Sequence, residues 1–237
     1  MEVILVEDKA GSEQGRAFVN QFPLLNIRYL APDHGWGHMG FMRNHGLSKA
    51  SGKYILFLDD DTVMLDDTFI EKLIALFEEN DRLQGVMPYG RASYSVIAGR
   101  YAYHDPFFYT NRCMAYRRSC LIGMGGFDSS FLGQEDVEFA IRFIAKGYRA
   151  IKTKHLCYYH PPLIYRDSGK GEAVGLSFAD SKYSLWVKLL LFLNGVRWLP
   201  LFVFQGVESK NKALFAYGFA KGFIYGFFKR SKKTGYS

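Results

Sequence analysis

The sequence predicts an α/β fold, in which the strands of a sheet alternate with helices that cover its faces. Short apolar runs rich in β-branched or aromatic residues, such as Val3–Val6 and Tyr54–Leu58, have the composition of buried strands. Between such runs, apolar residues recur every three or four positions, as they do on one face of a helix. This alternation along residues 1–160 is typical of a sheet with helices on its faces.

The first half of the chain divides into six predicted elements. Gly52 is the residue type that commonly ends a helix, and Phe69, Leu73 and Phe77 recur at helical spacing. The elements are, in order, strand Val3–Val6, helix 15–22, strand 26–30, helix 41–51, strand Tyr54–Leu58 and a helix from Asp66 or Asp67 to Phe77.

The second half continues the alternation, except that residues 91–105 are aromatic and give no assignment. Val137, Ile141 and Ile144 supply an apolar helix face, and Gly147 ends that helix. The predicted elements are strand 85–88, strand 111–116, helix 117–122, helix 135–146 and the extended runs 149–152 and 156–159.

The end of the chain is basic and aromatic. From Lys182 onward there are ten basic residues and one acid, Glu208, so this part carries +9 and the rest −2 of the total charge of +7. Such a tail favours an anionic membrane surface over a nucleic-acid groove. We therefore predict a membrane surface, and no nucleic acid, as a partner.

Three glycines in the tail, Gly218, Gly222 and Gly226, stand four residues apart and would form one stripe of a helix. Each glycine weakens an isolated helix by about 1 kcal/mol, so the stripe requires a packing partner or a bilayer interface. Residues 189–207 are apolar, but Asn194 and Pro200 interrupt them, which argues against a simple spanning helix.

The three cysteines, Cys113, Cys120 and Cys157, are an odd number without metal-type spacing, which predicts reduced thiols in a cytosolic protein. The first eight residues are short, flanked by acids and without the features of a secretory signal.

Two acidic groups carry the predicted chemistry. Asp59, Asp60 and Asp61 follow the apolar strand Tyr54–Leu58, where they favour a divalent cation over the alternative of a solvated turn. Glu135 and Asp136 begin a helix, where one of them would act as a base and either could instead cap the helix.

These motifs, in this order, resemble family 2 of the glycosyltransferases, which are inverting enzymes with the GT-A fold. That resemblance implies a mixed, mostly parallel sheet with helices on both faces. The matching segments are 2–8 ending in Glu7-Asp8, Arg43-Asn44 with Gly46, 50–55, Phe57-Leu58-Asp59-Asp60-Asp61, Gly125-Gly126-Phe127-Asp128, Gly133-Gln134-Glu135-Asp136, Arg142 and Gly147-Tyr148-Arg149.

The resemblance also implies roles for individual residues. Asp136 would be the general base, with Glu135 as the competing candidate. The remaining assignments are Asp59, Asp61 and His160 at a Mn²⁺ or Mg²⁺ ion, Asp59, Asp60 and Arg43 at the donor diphosphate, and Asp8 or Glu7 at the nucleotide base. For His160 the alternative is a structural histidine, for Arg43 a helix-surface arginine, and for Asp8 a turn acid.

The predicted organisation is a GT-A-like catalytic domain at 1–165, a linker at 166–177 and a helical, membrane-associating tail at 178–237. The predicted reaction moves a sugar from a nucleotide-diphosphate sugar to a hydroxyl of a glycan or lipid-linked acceptor. We expect the protein to be cytoplasmic and peripheral at the inner face of the cell membrane.

Family members normally begin with a further strand and helix, whereas Met1 falls at the segment that matches their second strand. We therefore expect an incomplete first wall of the nucleotide pocket. Three explanations are open: the start of the sequence is assigned too late, the natural protein is truncated, or a partner chain or oligomer completes the sheet. The alternative function is a non-catalytic glycosyltransferase-like protein or partner subunit. A nucleotidyltransferase is a weaker alternative, because Glu135-Asp136 argues against it.

Overall fold

The computed structural model describes residues 1–97, 100–104, 108–161, 167–204 and 206–228. Four basic residues of the predicted membrane-associating tail lie outside the described residues: Lys229, Arg230, Lys232 and Lys233.

Strands and helices alternate along most of the described chain. The strands are β1 Val3–Val6, β2 Ile27–Leu30, β3 Tyr54–Leu58, β4 Val63–Met64, β5 Leu83–Ile97, β6 Arg100–His104, β7 Cys113–Arg117 and β8 Arg149–Tyr159. The helices are α1 Glu13–Val19, α2 Met39–Lys49, α3 Phe69–Glu78, α4 Arg118–Gly123, α5 Glu135–Ala145, α6 Gly169–Ala179, α7 Leu185–Val196 and α8 Val207–Phe228, with a 3₁₀ turn at Leu199–Val203.

The strands form two sheets, and the predicted α/β fold with a mixed sheet is confirmed. β1 pairs with β2 in parallel, and a larger sheet has the order β3-β7-β5-β8-β4, with β6 on β5. In the described part of the larger sheet, β5 and β8 are the parallel pair, while the other pairs are antiparallel. The expectation of mostly parallel pairing is wrong there, because β7 runs back between β3 and β5.

Two strands are longer than their sequence patterns predict. β5 covers Leu83–Ile97 rather than 85–88, and the two runs at 149–152 and 156–159 are one strand, β8. The pairing of β5 with β8 shifts register after Thr153 and resumes at Cys157, which explains why the apolar pattern of β8 is interrupted.

Helices α3 and α5 pack on the larger sheet through residues spaced one helical turn apart. Phe69, Leu73 and Phe77 of α3 are buried together with residues of β5 and β7. Phe139 and Phe143 of α5 belong to a separate core cluster, which includes other residues of β7. Burial of such side chains stabilises each contact by about 1.5–3 kcal/mol per residue. This packing fixes the ends of β3 and α5, which carry the acidic groups.

The glycine stripe of α8 packs against α6. A Cβ on Gly218 would clash with the carbonyl oxygen of Ser168, and one on Gly222 with that of Glu172. Gly171 and Gly175 of α6 meet the backbone of α8 in the same way. The packing partner that the glycines require is therefore another helix, and most of the predicted linker 166–177 is helical. The division into domains stays a prediction.

Candidate functional site

Asp59, Asp61 and His160 form a compact cluster at the end of β3. Their ligand atoms lie within 4.8 Å of one another. His160 Nε2 is 3.1 Å from Asp61 Oδ1 and 3.6 Å from Asp59 Oδ2. The local cause is β4, which begins two residues after Asp61 and pairs with the last residues of β8, so that His160 reaches the aspartates.

His160 is oriented by its backbone neighbour. The side chain is 2% exposed, and Nδ1 lies 2.6 Å from the carbonyl oxygen of Pro161. A carbonyl oxygen only accepts hydrogen bonds, so Nδ1 donates and Nε2 faces the carboxylates. Metal-bound histidines are commonly oriented through the second ring nitrogen in this way. Two carboxylates and one imidazole fit a divalent cation such as Mn²⁺ or Mg²⁺.

The environment of Asp59 favours its ionised form. Burial by itself would raise the pKa of this carboxyl group, but the neighbouring imidazole of His160 and the charge of Arg43 lower the pKa below its ordinary value. An aspartate that stays ionised is available as a metal ligand without first losing a proton.

Arg43 of α2 joins the metal cluster to the start of α5. One guanidinium nitrogen is 3.2 Å from Asp59 Oδ1, and another forms an ion pair with Glu135. The side chains of Arg43 and Glu135 are 12% and 5% exposed, so the surface position considered for Arg43 is wrong. This ion pair occupies Glu135 with a counter-charge, which makes Asp136 the freer of the two acids.

Replacing Arg43 by methionine is expected to lower the free energy of unfolding by about 3–5 kcal/mol, because Glu135 would be left as an unpaired buried charge. Chemical denaturation measures the change. The matched control is Lys53→Met, which removes the exposed Lys53–Glu78 pair and is expected to cost less than about 1 kcal/mol. An equal decrease in the free energy of unfolding of the two variants would show that the Arg43–Glu135 ion pair is not desolvated.

Asp136 lies at the first turn of α5 and is half-buried. Its Oδ2 accepts a hydrogen bond from the backbone N–H of Asn111 at 3.1 Å, and its Oδ1 accepts one from Val137 N–H at 2.8 Å. Gln134, which precedes the helix, adopts a left-handed conformation with φ of 56° and turns the chain into α5. The carboxylate is thus held in place and still reaches solvent.

Glu7 and Asp8, which the resemblance places at the nucleotide base, make hydrogen bonds within the protein. Glu7 accepts a 2.5 Å hydrogen bond from the hydroxyl of Tyr29, and this bond lowers the pKa of Glu7. Asp8 accepts hydrogen bonds from the backbone N–H groups of Lys9 at 2.9 Å and Gly37 at 3.0 Å. Asp60 is exposed beside the described cluster and is not one of its three members. The donor-binding roles of these acids stay predictions.

Asn44 has a positioning role that sequence reasoning did not assign, although the residue lies in a matching motif. Its side-chain amide donates to the carbonyl oxygen of Phe127 at 2.7 Å and accepts from Phe127 N–H at 2.8 Å. A side chain on Gly126 would collide with this amide, which explains a glycine at that place. The contact fastens α2 to the loop that leads into α5.

A second network, also unassigned from the sequence, joins α5 to the tail. Arg142 binds the buried Glu138 and donates to the carbonyl oxygens of Met124 and Gly126 at 3.1 and 2.9 Å. The hydroxyl of Tyr183, which lies just before α7, donates to Glu138 as well. Burial raises the pKa of Tyr183, so this group stays a donor at neutral pH.

Tyr183→Phe is expected to lower the free energy of unfolding by about 1.5–3 kcal/mol, because a buried charged acceptor loses one hydrogen bond. Thermal or chemical denaturation measures this change. Tyr217→Phe, at an exposed position of α8, serves as the control and should leave the stability within about 0.5 kcal/mol of the parent. A Tyr183→Phe protein as stable as its control would contradict the network.

Two further cations lie near Asp59. Burial lowers the pKa of Lys170, at the start of α6, as does the charge of Arg112, while Asp59 raises it. Lys170 nevertheless keeps part of its surface exposed to solvent. Neither Lys170 nor Arg112 lies in a recognisable motif, so sequence reasoning could not have found them.

The comparisons with known proteins point to sugar transfer. The family model described as Glycosyl transferase family 2 matches residues 1–127. O-antigen biosynthesis protein RfbC of Myxococcus xanthus is 24% identical over an alignment of 208 positions, which covers 76% of this chain and 16% of that protein. O-antigen chain rhamnosyltransferase WbaN of Salmonella anatum is 22% identical over 83% of this chain and 74% of that protein.

Among solved structures, mannosyltransferase PcManGT from Pyrobaculum calidifontis, in complex with GDP-Man and Mn²⁺, has a TM-score of 0.57 at 16% identity. The match covers 92% of this chain and 60% of that one. The likeness confirms the predicted GT-A fold. The chain spans less than two thirds of the length of RfbC and of PcManGT.

Proposed function

The chain belongs to glycosyl transferase family 2, and on that premise we propose that it transfers a sugar from a nucleotide-diphosphate sugar to a hydroxyl group of a glycan or lipid-linked acceptor. The observation that carries the proposal is the position of Arg43, which contacts both Asp59 of the cluster and Glu135, the neighbour of Asp136. One arginine therefore contacts both the proposed cation site and the residue next to the proposed base.

Asp59, Asp61 and His160 would hold the divalent cation. When bound, Mn²⁺ or Mg²⁺ neutralises the charge that develops on a diphosphate leaving group. Arg43, which contacts Asp59, and Lys170, whose pKa the charge of Asp59 raises, add positive charge near the cluster and would orient the donor phosphates. Asp8 and Glu7 retain their proposed position at the nucleotide base.

Asp136 would take the proton from the acceptor hydroxyl. The acceptor oxygen then forms a bond to the anomeric carbon, while the bond from that carbon to the diphosphate oxygen breaks and releases the nucleoside diphosphate. Attack opposite the leaving group inverts the anomeric carbon, and no covalent sugar–enzyme intermediate forms. Glu135, which is paired with Arg43, would support the position of Asp136 rather than accept the proton.

The proposed place of action is the cytoplasmic face of the cell membrane. Two observations support it: the relatives RfbC and WbaN are named for O-antigen biosynthesis, and the tail carries a net charge of +9. An acceptor anchored in lipid would be reached most readily by an enzyme that is itself bound at that surface.

The test is a screen of nucleotide sugars in which release of the nucleoside diphosphate is measured with Mn²⁺, with Mg²⁺ and with EDTA. The proposal expects turnover with one donor class that EDTA abolishes and added Mn²⁺ restores. The anomeric configuration of the product, read by NMR, should be opposite to that of the donor. Turnover that EDTA does not affect would contradict the metal role. Absence of turnover with every donor would favour a non-catalytic partner subunit.

A further inference from the structure

We propose that one face of α7 lies flat in the interface of an anionic lipid bilayer and is the membrane-docking surface of the protein. This inference rests on the proposed function for its membrane setting, and it identifies the surface. The outer face of α7 is defined by four exposed side chains, which are 69%, 66%, 43% and 53% exposed in the order Leu185, Trp186, Leu189 and Leu193.

The outer face is continuous, because its residues fall within about 100° of the helix circumference at 100° per residue. The opposite side of α7 is packed. Leu191 is buried in the tail core, and Gly195 fits against the ring of Phe219. A helix that is apolar all round is normally buried or in contact with lipid. In the described structure, other parts of the tail cover one side of α7, and the outer face is exposed.

The glycine stripe, by contrast, is not available for a membrane. Gly218 and Gly222 of α8 face the backbone of α6 so closely that neither position has room for a Cβ. The lipid contact that the tail composition predicts therefore does not fall on the stripe, whereas the outer face of α7 is exposed.

The dimensions of α7 favour an orientation in the plane of the membrane. Residues Leu185–Val203 have the length and mean hydropathy, 1.4, of a membrane span. However, the α-helix ends at Val196, and a 3₁₀ turn containing Pro200 follows. Twelve α-helical residues extend about 18 Å, whereas the hydrocarbon core is about 30 Å thick. The 3₁₀ turn adds further exposed apolar side chains, Phe202 and Val203.

The charge around α7 favours an anionic lipid surface as the partner that contacts its outer face. Between Lys182 and Phe228 the sequence has six basic residues and one acid, Glu208. Lys182 precedes α7 and is exposed, and Arg197 follows α7 with its guanidinium 4.4 Å from the ring centre of Trp198. Basic groups beside an apolar face with tryptophan are typical of interfacial helices. A second copy of the chain would bring the same excess of positive charge and so fits less well.

The covered side of α7 connects the docking surface to the site. The amide of Asn194 is 3.4 Å from the side-chain oxygen of Gln134, and Tyr183 contacts Glu138. Gln134 immediately precedes Glu135 and Asp136. A membrane-bound α7 would therefore hold the start of α5 at a fixed height above the lipid surface.

Sedimentation of the full chain with phosphatidylcholine vesicles, with and without phosphatidylglycerol, tests the inference. The parent protein is expected to bind the anionic vesicles. Leu189→Ser combined with Leu193→Ser should weaken binding on the order of 100-fold, because two leucines lose their burial in the interface. The matched control is Leu24→Ser, a change at an exposed leucine remote in sequence from the tail, which should bind like the parent. Circular dichroism of the double variant shows whether it is folded.

Equal binding by the folded double variant, or absence of binding by the parent, would overturn the inference. A dimer that the double variant converts to a monomer, without lipid binding, would assign the face to a second copy and would also overturn it. Release of nucleoside diphosphate, measured without vesicles, keeps the two proposals apart. Turnover without vesicle binding would support the proposed function and contradict the docking surface. Vesicle binding without turnover would support the docking surface and contradict the proposed function.

Discussion

Asp136→Asn is expected to lower kcat by about 10²- to 10⁴-fold, because the acceptor hydroxyl would lose the group that takes its proton. Asparagine has nearly the same shape as aspartate, but its single side-chain oxygen can keep only one of the two hydrogen bonds that the N–H groups of Asn111 and Val137 make with the two carboxylate oxygens. Because the helix and the metal cluster are otherwise unchanged, we expect the fold and the affinity for the donor to be retained. Release of nucleoside diphosphate from the donor found in the screen measures the loss.

The control for the loss of one carboxylate is Asp81→Asn, at an exposed position after α3, which should keep the turnover of the parent. Glu135→Gln separates the two acids. That change removes the counter-charge of Arg43, so we expect lower stability with a smaller fall in kcat. If Glu135→Gln abolished turnover and Asp136→Asn did not, the base would be Glu135.

The second large effect is expected for Asp61→Asn, which should weaken Mn²⁺-dependent binding of the nucleoside diphosphate and lower turnover by about 10²- to 10³-fold. The reason is that the cluster loses a charged ligand, and a metal at a charged leaving group contributes several kcal/mol. Calorimetric titration of the diphosphate with and without Mn²⁺ measures the binding.

Asp60→Asn makes the same change in charge at the neighbouring position. Asp60 is not a member of the described cluster, so its loss should weaken metal-dependent binding much less than the loss of Asp61. Equal effects of the two substitutions would mean that the total charge of the acidic triad matters and that the geometry with His160 does not.

The sequence revealed the parts of the site that depend on local pattern. The apolar run Tyr54–Leu58 predicts the strand that carries Asp59, and the helical spacing after Glu135 predicts α5, and both elements are present. The meeting of Asp61 with His160 followed only from the family resemblance, because the two residues are far apart in the chain.

Contacts between distant elements could not be predicted. Arg43 pairs with Asp59 and with Glu135, which are far from it in sequence and on different elements. Its burial depends on how α2 packs, and the sequence around Arg43 reads equally well as a helix surface. Sheet pairing is similarly non-local, which is why the position of β7 between β3 and β5 was missed.

The tail illustrates the same limit. The spacing of Gly218, Gly222 and Gly226 correctly indicates a close contact, but periodicity does not say whether the partner is lipid or protein. The partner is α6, which lies in a segment whose helical pattern is weak because Gly169, Gly171 and Gly175 interrupt it.

Nucleoside-diphosphate binding by Asp136→Asn and by Asp61→Asn, measured in the presence of Mn²⁺, separates the two proposed roles. In the proposed mechanism, Asp59, Asp61 and His160 bind the donor through the metal, and Asp136 takes the proton. We therefore expect Asp136→Asn to bind the diphosphate like the parent although it does not turn over, and Asp61→Asn to lose most of the binding. If Asp136→Asn lost binding as well, or Asp61→Asn kept it, the proposed division of roles would be contradicted.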